Sequence, residues 1–296
     1  KNRRKIPETL DYLEGKGNEE ELSEVSHLIA RGDGYKRTSS HRLSEQDQLQ
    51  LPSYWTSQFV QSGEKEALDG EVEVQFTPQE LSSFYLVDVT EEFKDELEGL
   101  IELLGGMSEL VKVHRVENQD LWINYSQYRA SILQKHEDEE IAETTLHPLS
   151  MSNWMFKEFE LERRVNEVLV LHGTTGKVAP VVCHQGFEAR IVKKLGKSGR
   201  GIYFSDEIGK ADQYADNDIY GLRHVFLSRV TLGVPYVTDS HLRQQMSAPS
   251  IEGQQYDSVA AKREKYNEFV VYDAQQCYPE LILTYFSGKK YCGICE

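Results

Sequence analysis

The chain has 296 residues, 39% of them hydrophobic and 28% charged, which suits one large domain or two small ones. Its formal net charge of −16 argues against a direct nucleic-acid footprint, no apolar run approaches the ~20 residues of a membrane span, and the opening residues do not read as a secretory leader. Of four cysteines only Cys292 and Cys295 are close together, so no disulfide framework is expected and an intracellular setting, nuclear or cytoplasmic, is favoured.

Residues 1–50 are polar and glycine-punctuated, with one short helix expected around Glu19 to Ala30, and read as a tail or linker. A domain over residues 51–288 is expected to open at Leu51-Pro52-Ser53-Tyr54-Trp55, leaving 289–296 as a short C-terminal tail. Glu71 to Phe76 alternates polar and apolar at period two, as a half-buried strand does, and Phe84 to Val87 is a second strand. Phe93, Leu97, Leu100, Ile101 and Leu104 then form one helical stripe ended by Gly105-Gly106. Val111 to Val116 predicts a strand, and Asn118 opens a helix whose Trp122, Tyr125 and Ile132 are assigned to the core.

The acidic stretch from His136 to Ala142 predicts a solvated loop, followed by a segment through Trp154, Phe156 and Phe159 to Val165. Val168-Leu169-Val170-Leu171 is a continuous apolar run stopped by His172-Gly173-Thr174, which predicts a buried strand that carries His172 to the edge of a cavity. Gly196-Lys197-Ser198-Gly199-Arg200-Gly201 is a basic glycine-rich loop suited to approach phosphates. Ile202-Tyr203-Phe204 resumes a short strand, and Lys210 to Tyr214 reads as a polar helix carrying an aromatic. Val225 to Val230 is a strand, Gly233 to Lys265 a long connection, Phe269 to Tyr272 a strand, Gln275 to Glu280 a turn and Leu281 to Tyr285 the last strand. Many short strands, few helices and no βαβ repeat predict an α+β fold built on antiparallel sheets.

Four of these pieces occur in a fixed order: the His172-Gly173-Thr174 strand end, the Gly199-x-Gly201-Ile202-Tyr203-Phe204 strand, Tyr214, and Tyr266-Asn267-Glu268-Phe269-Val270-Val271-Tyr272. Together they resemble the catalytic domain of the poly(ADP-ribose) polymerase family of ADP-ribosyltransferases. Asn118, Leu121, Trp122 and Tyr125 are similar to a further family segment, and the Leu51 and Gln275 stretches resemble tankyrases and the members without a helical regulatory domain. The resemblance implies two small, mainly antiparallel sheets packed face to face with flanking helices, and NAD+ held between them. It implies a catalytic set of His172, Tyr203 and Glu268, with His172, Gly173, Thr174, Tyr203, Ala211 and Tyr214 binding NAD+. Many members carry a serine where Ala211 stands, so weaker NAD+ affinity is expected.

The implied chemistry cleaves the nicotinamide–ribose bond through an oxocarbenium-like sugar, which asks for a fixed negative group near the ribose. Glu268, between apolar neighbours in a strand, fits that need, since a buried carboxylate is costly without a partner or a task. An acceptor protein receives the ADP-ribose, and the presence of Glu268 leaves elongation to poly(ADP-ribose) open. A catalytically weak or inactive module that binds NAD or ADP-ribose is the alternative. No GxGxxG follows a strand, so Rossmann-type binding is excluded. Cys292 and Cys295 form half a zinc site, and no metal is expected.

Overall fold

The computed structural model describes residues 51–56, 84–137, 141–142, 146, 153–189 and 196–288. The expected helix at Glu19 to Ala30, the strand at Glu71 to Phe76, both tails and the Cys292/Cys295 pair lie outside the described residues.

The described chain is mixed α+β with a large, mainly antiparallel sheet. After strand β1 (Phe84–Asp88) comes helix α1 (Thr90–Glu102). It turns Phe93, Leu97 and Ile101 inward, as their spacing predicts, and carries Glu91 and Glu92 in its first turn, where the helix dipole favours negative charge. It stops where Gly105 and Gly106 adopt φ of +75° and +71°. Strand β2 (Glu109–Asn118) runs directly into α2 (Gln119–Lys135). Asn118 is the hinge: its side-chain oxygen accepts from Leu121 N at 3.1 Å, and its Nδ2 donates to the carbonyls of Cys183 and His184 at 3.0 and 3.1 Å.

Helix α3 (Asn153–Glu158), β3 (Glu167–Thr174), α4 (Ala179–Gln185), β4 (Ile202–Ser205), α5 (Ile208–Asp212) and β5 (Leu222–Thr231) follow. Strands β6 (Pro235–Thr238), β7 (Ser250–Ile251), β8 (Gln254–Gln255), β9 (Ser258–Lys262), β10 (Asn267–Val271) and β11 (Cys277–Phe286) complete the chain. The segment from Gly233 to Lys265, expected as a connection, therefore holds β6 and β9, which pair in parallel. The expected turn from Gln275 to Glu280 is likewise short: a 3-10 turn at Ala274–Gln276 leads straight into β11. Pro279 and Glu280 suggested a turn, but the ladder accommodates them at a register shift between Pro279 and Leu281.

All but β7 and β8 form one nine-stranded sheet in the order β1-β2-β11-β5-β3-β4-β10-β9-β6. The two expected sheets are present as a five-stranded half and a four-stranded half of this hydrogen-bonded whole, joined where β3 meets β4 through the single pair Leu171↔Ser205. Apolar clusters cover both faces of β3. Leu169 and Leu171 pack with α1, Ile208 and Ala211, whereas Val168 and Val170 pack with α4 residues, Phe204 and Phe269. Its unbroken apolar run follows from that double cover.

The segment Leu51 to Thr56 is fastened to the same body. Trp55 packs with Trp122, Tyr125 and Tyr278, and the Tyr54 hydroxyl bonds Glu280 Oε1 at 2.9 Å and accepts from Arg229 Nη2 at 2.8 Å. Arg229 in turn holds Glu167 and Glu280, at 3.1 and 2.9 Å. A buried arginine between two carboxylates, the Tyr54 hydroxyl and the Phe159 carbonyl explains how β3, β5 and β11 carry charge in their interior.

Candidate active site

The register around the junction brings the expected residues together. Ser205 on β4 pairs with Leu171 on one side and with Glu268 on the other. His172, at the end of the five-stranded half, and Glu268, in the four-stranded half, therefore stand about 10 Å apart across one short strand. Tyr203 lies two residues back along that strand, and its carbonyl accepts from His172 Nδ1 at 2.8 Å. A carbonyl only accepts, so Nδ1 carries the proton and Nε2 is left as an acceptor. Burial pushes the imidazole below its ordinary pKa, against the opposing effect of the Tyr203 bond, so the ring is neutral near pH 7. Phe187 and Phe204 flank it, with centroids 4.9 and 5.5 Å away.

The Tyr203 hydroxyl is enclosed by the glycine-rich loop. Ser198 N donates to it at 2.9 Å, and it donates to the Gly199 carbonyl at 2.8 Å. Burial lifts it to about 12, so it remains protonated. The loop amides are used internally: Gly196 N and Gly199 N bond one another's carbonyls, and Arg200 N bonds Gln245 O at 2.9 Å. The expected backbone cradle for phosphates is thus spent on Tyr203 and on the following segment, while Lys197 and Arg200 remain exposed.

Gly173 touches α5 through the backbone. A Cβ there would lie 1.8 Å from the Ala211 carbonyl oxygen, so only glycine allows the approach. Ala211 is buried in the cluster with Leu171, Ile208 and Leu227, and Thr174 is buried at the end of β3. Tyr214, just past α5, is exposed.

Glu268 is buried and paired. Arg263 Nε donates to its Oε2 at 2.9 Å, and Lys210 Nζ lies 3.9 Å from Oε1. Lys210 also donates to the Tyr214 hydroxyl at 3.2 Å, with its ammonium 4.9 and 5.0 Å from the ring centres of Tyr214 and Tyr266. Burial opposes its charge, but the Tyr214 hydrogen bond and the neighbouring Tyr214, Tyr266 and Glu268 outweigh burial and raise its pKa. The neighbouring Asn267 is held by Asp206, which accepts from its N and Nδ2 at 2.8 and 2.6 Å.

Lys210, Arg263, Tyr266 and Asp206 were not singled out from sequence. Lys210 and Tyr266 lie inside motifs already quoted, and a requirement for cations near a buried glutamate would have drawn attention to Lys210. Arg263 sits in what read as a connection, and its position depends on the β9–β10 pairing.

The arrangement offers a neutral imidazole acceptor, a protonated phenol, an exposed aromatic ring and a buried carboxylate around one sheet junction. The sequence profile described as "Poly(ADP-ribose) polymerase catalytic domain" matches residues 102–286. Protein mono-ADP-ribosyltransferase PARP12 of Mus musculus is 26% identical over 183 residues, which cover 60% of this chain and 22% of that protein. Protein mono-ADP-ribosyltransferase PARP11 of Homo sapiens is 23% identical over 266 residues, covering 82% of this chain and 65% of its own length. For PARP14 of Homo sapiens, another protein mono-ADP-ribosyltransferase, the figures are 25% over 179 residues, 59% and 8%. The matches thus span from under a tenth to about two thirds of these relatives.

Proposed function

Since the chain belongs to the poly(ADP-ribose) polymerase catalytic domain family, we propose that it is an NAD+-dependent protein ADP-ribosyltransferase that attaches single ADP-ribose units. NAD+ is the substrate, and the acceptor is a protein side chain. His172 Nε2 accepts from the adenosine ribose. Tyr214 and Tyr203 flank the nicotinamide, and the Gly173 backbone bonds its carboxamide. Glu268 accepts from the nicotinamide-ribose 2′-hydroxyl and stabilises the cation that develops as the glycosidic bond breaks.

The observation that carries this reading is the buried, fixed carboxylate of Glu268 beside β4, the strand that carries Tyr203 and whose Tyr203 carbonyl accepts from His172 on β3. Single transfer is favoured over elongation by two things. The relatives above are named mono-ADP-ribosyltransferases. Elongation also needs a carboxylate free to orient and deprotonate a sugar hydroxyl, whereas Glu268 is engaged by Arg263 and faces Lys210.

Incubation of the purified chain with labelled NAD+ tests the reading. A sharp labelled protein band with stoichiometric nicotinamide release is expected. A ladder or smear contradicts single transfer, and NAD+ binding without nicotinamide release would leave a binding module.

A further inference from the structure

Glu268 is the second residue of β10, and the residue before it, Asn267, is where that strand begins. Three groups of Asn267 are held, all by two residues at the end of β4. Its backbone N donates to Asp206 Oδ1 at 2.8 Å and its Nδ2 to Asp206 Oδ2 at 2.6 Å. Its carbonyl accepts from Ser205 Oγ at 3.2 Å and from Asp206 N at 3.4 Å. Asp206, only 7% exposed, thus places one carboxylate oxygen on the backbone and the other on the side chain of the same residue.

Two charge-assisted bonds to one residue fix its rotation as well as its position, which a single bond does not. The ladder between β4 and β10 ends at the pair Glu268↔Ser205, so the Asp206 side chain carries the contact one residue past the last pair. Beyond that point β10 is held as a strand by β4 on one side and β9 on the other, with or without Asp206. Burial raises the pKa of Asp206, with the Glu207 charge acting the same way and the Asn267 bonds opposing. A neutral side chain would close the strand end without that cost, and perturbed carboxylates of this kind gather at functional sites.

We propose that Asp206 is a positioning residue for the reaction: by gripping Asn267 through its backbone and its amide, it sets the start of β10 and so aims the Glu268 carboxylate at the nicotinamide ribose. This rests on the transferase reading above. Arg263 and Lys210 restrain Glu268 at its carboxylate oxygens. Asp206 instead fixes the backbone from which that side chain departs. The groups that bind NAD+ in this reading are carried elsewhere, His172 and Gly173 by β3 and Tyr214 just beyond α5. The cap of α5 is Glu207, whose Oε2 accepts from Lys210 N at 2.6 Å, and it does not need the Asp206 side chain. Loss of the grip therefore slows bond cleavage and leaves NAD+ binding in place.

The test is steady-state nicotinamide release by the intact chain, with kcat and KM for NAD+ separated. Asp206→Asn keeps the size of the side chain but offers one acceptor where Asn267 presents two donors. Its kcat is expected to fall by about tenfold to a hundredfold, since a reacting group displaced by ~1 Å can cost ~10² in rate, with KM within about twofold of the parent. The reciprocal double variant Asp206→Asn/Asn267→Asp restores both bonds: the backbone N of residue 267 donates to the amide oxygen at 206, and the amide nitrogen at 206 donates to the carboxylate at 267. It is expected to recover most of the lost kcat. A parent-like kcat in Asp206→Asn overturns the proposal. So does a KM for NAD+ that rises as far as kcat falls, which would make Asp206 a general brace of the site, and so does a double variant no faster than Asp206→Asn alone. A parent that releases no nicotinamide overturns the transferase reading itself, and this one with it.

Discussion

Tyr214 is an exposed aromatic two residues beyond the buried end of α5, held by a bond from Lys210 to its hydroxyl and by the ammonium over its ring. In the stacking role it contributes its π-face, and an aromatic pair is worth about 0.5–1.5 kcal/mol beyond area burial. Replacing the ring by alanine is therefore expected to raise the NAD+ requirement by up to about tenfold. Tyr214→Phe keeps the face and loses only an exposed hydrogen bond, so its KM for NAD+ should stay within about twofold of the parent. Steady-state kinetics on the two variants decide it: equal damage in both means that the hydroxyl matters and the stacking role is wrong. His172, Tyr203 and Glu268 were expected together from sequence because their motifs occur in the order that resembles the family's, whereas His172 or Tyr203 alone reads as a structural residue. Their partners could not be expected, because Arg263 reaches Glu268 only after the β9–β10 hairpin folds back.

At the scale of elements, the join between β2 and α2 depends on Asn118. Its oxygen caps the helix, its amide donates to two carbonyls at the end of α4, and its backbone N donates to the Tyr278 hydroxyl at 3.1 Å. Asn118→Ala removes the cap and takes the Asn118 donor from one buried and one part-buried carbonyl, a loss of about 2–4 kcal/mol. Asn118→Asp is the sharper variant. Aspartate caps as well as asparagine does, yet it would point a carboxylate oxygen at the carbonyls of Cys183 and His184. Thermal unfolding is expected to show Asn118→Asp at least as destabilised as Asn118→Ala; an aspartate variant near the parent would reduce Asn118 to a cap.

Elements whose apolar period matched their burial were legible in advance, α1 through Phe93, Leu97 and Ile101 and β3 through its four-residue apolar run. Those read as connection or turn failed that test for physical reasons. Strand β9 is short, with alanine or serine at three of its five residues, and β6 has an exposed Val237. The start of β11 contains a proline and a glutamate whose burial is sustained by Arg229 and Tyr54, and neither residue is adjacent to it in sequence.

For the whole molecule, the site lies where the five-stranded and four-stranded halves of the sheet meet through one residue pair. His172 comes from one half and Glu268 from the other, with Tyr203 on the strand that bridges them. That single pairing was invisible in the sequence, since it depends on where the end of the four-residue β4 falls alongside the middle of β3. It explains why the glycine-rich loop is committed to the Tyr203 hydroxyl: the loop and the segment bonded to it brace the bridging strand.

The account as a whole turns on Glu268 acting on NAD+ at this junction. Glutamine is close in size and its amide oxygen still accepts from Arg263, so the fold and the binding site should survive the exchange. The most direct measurement is nicotinamide release by the parent and by Glu268→Gln at equal NAD+ occupancy, with occupancy set from calorimetric binding. A nearly unchanged NAD+ affinity with release slowed by at least ~10² is the predicted result. Release by the glutamine variant at the parent's rate would make Glu268 a structural residue and contradict the account at its centre.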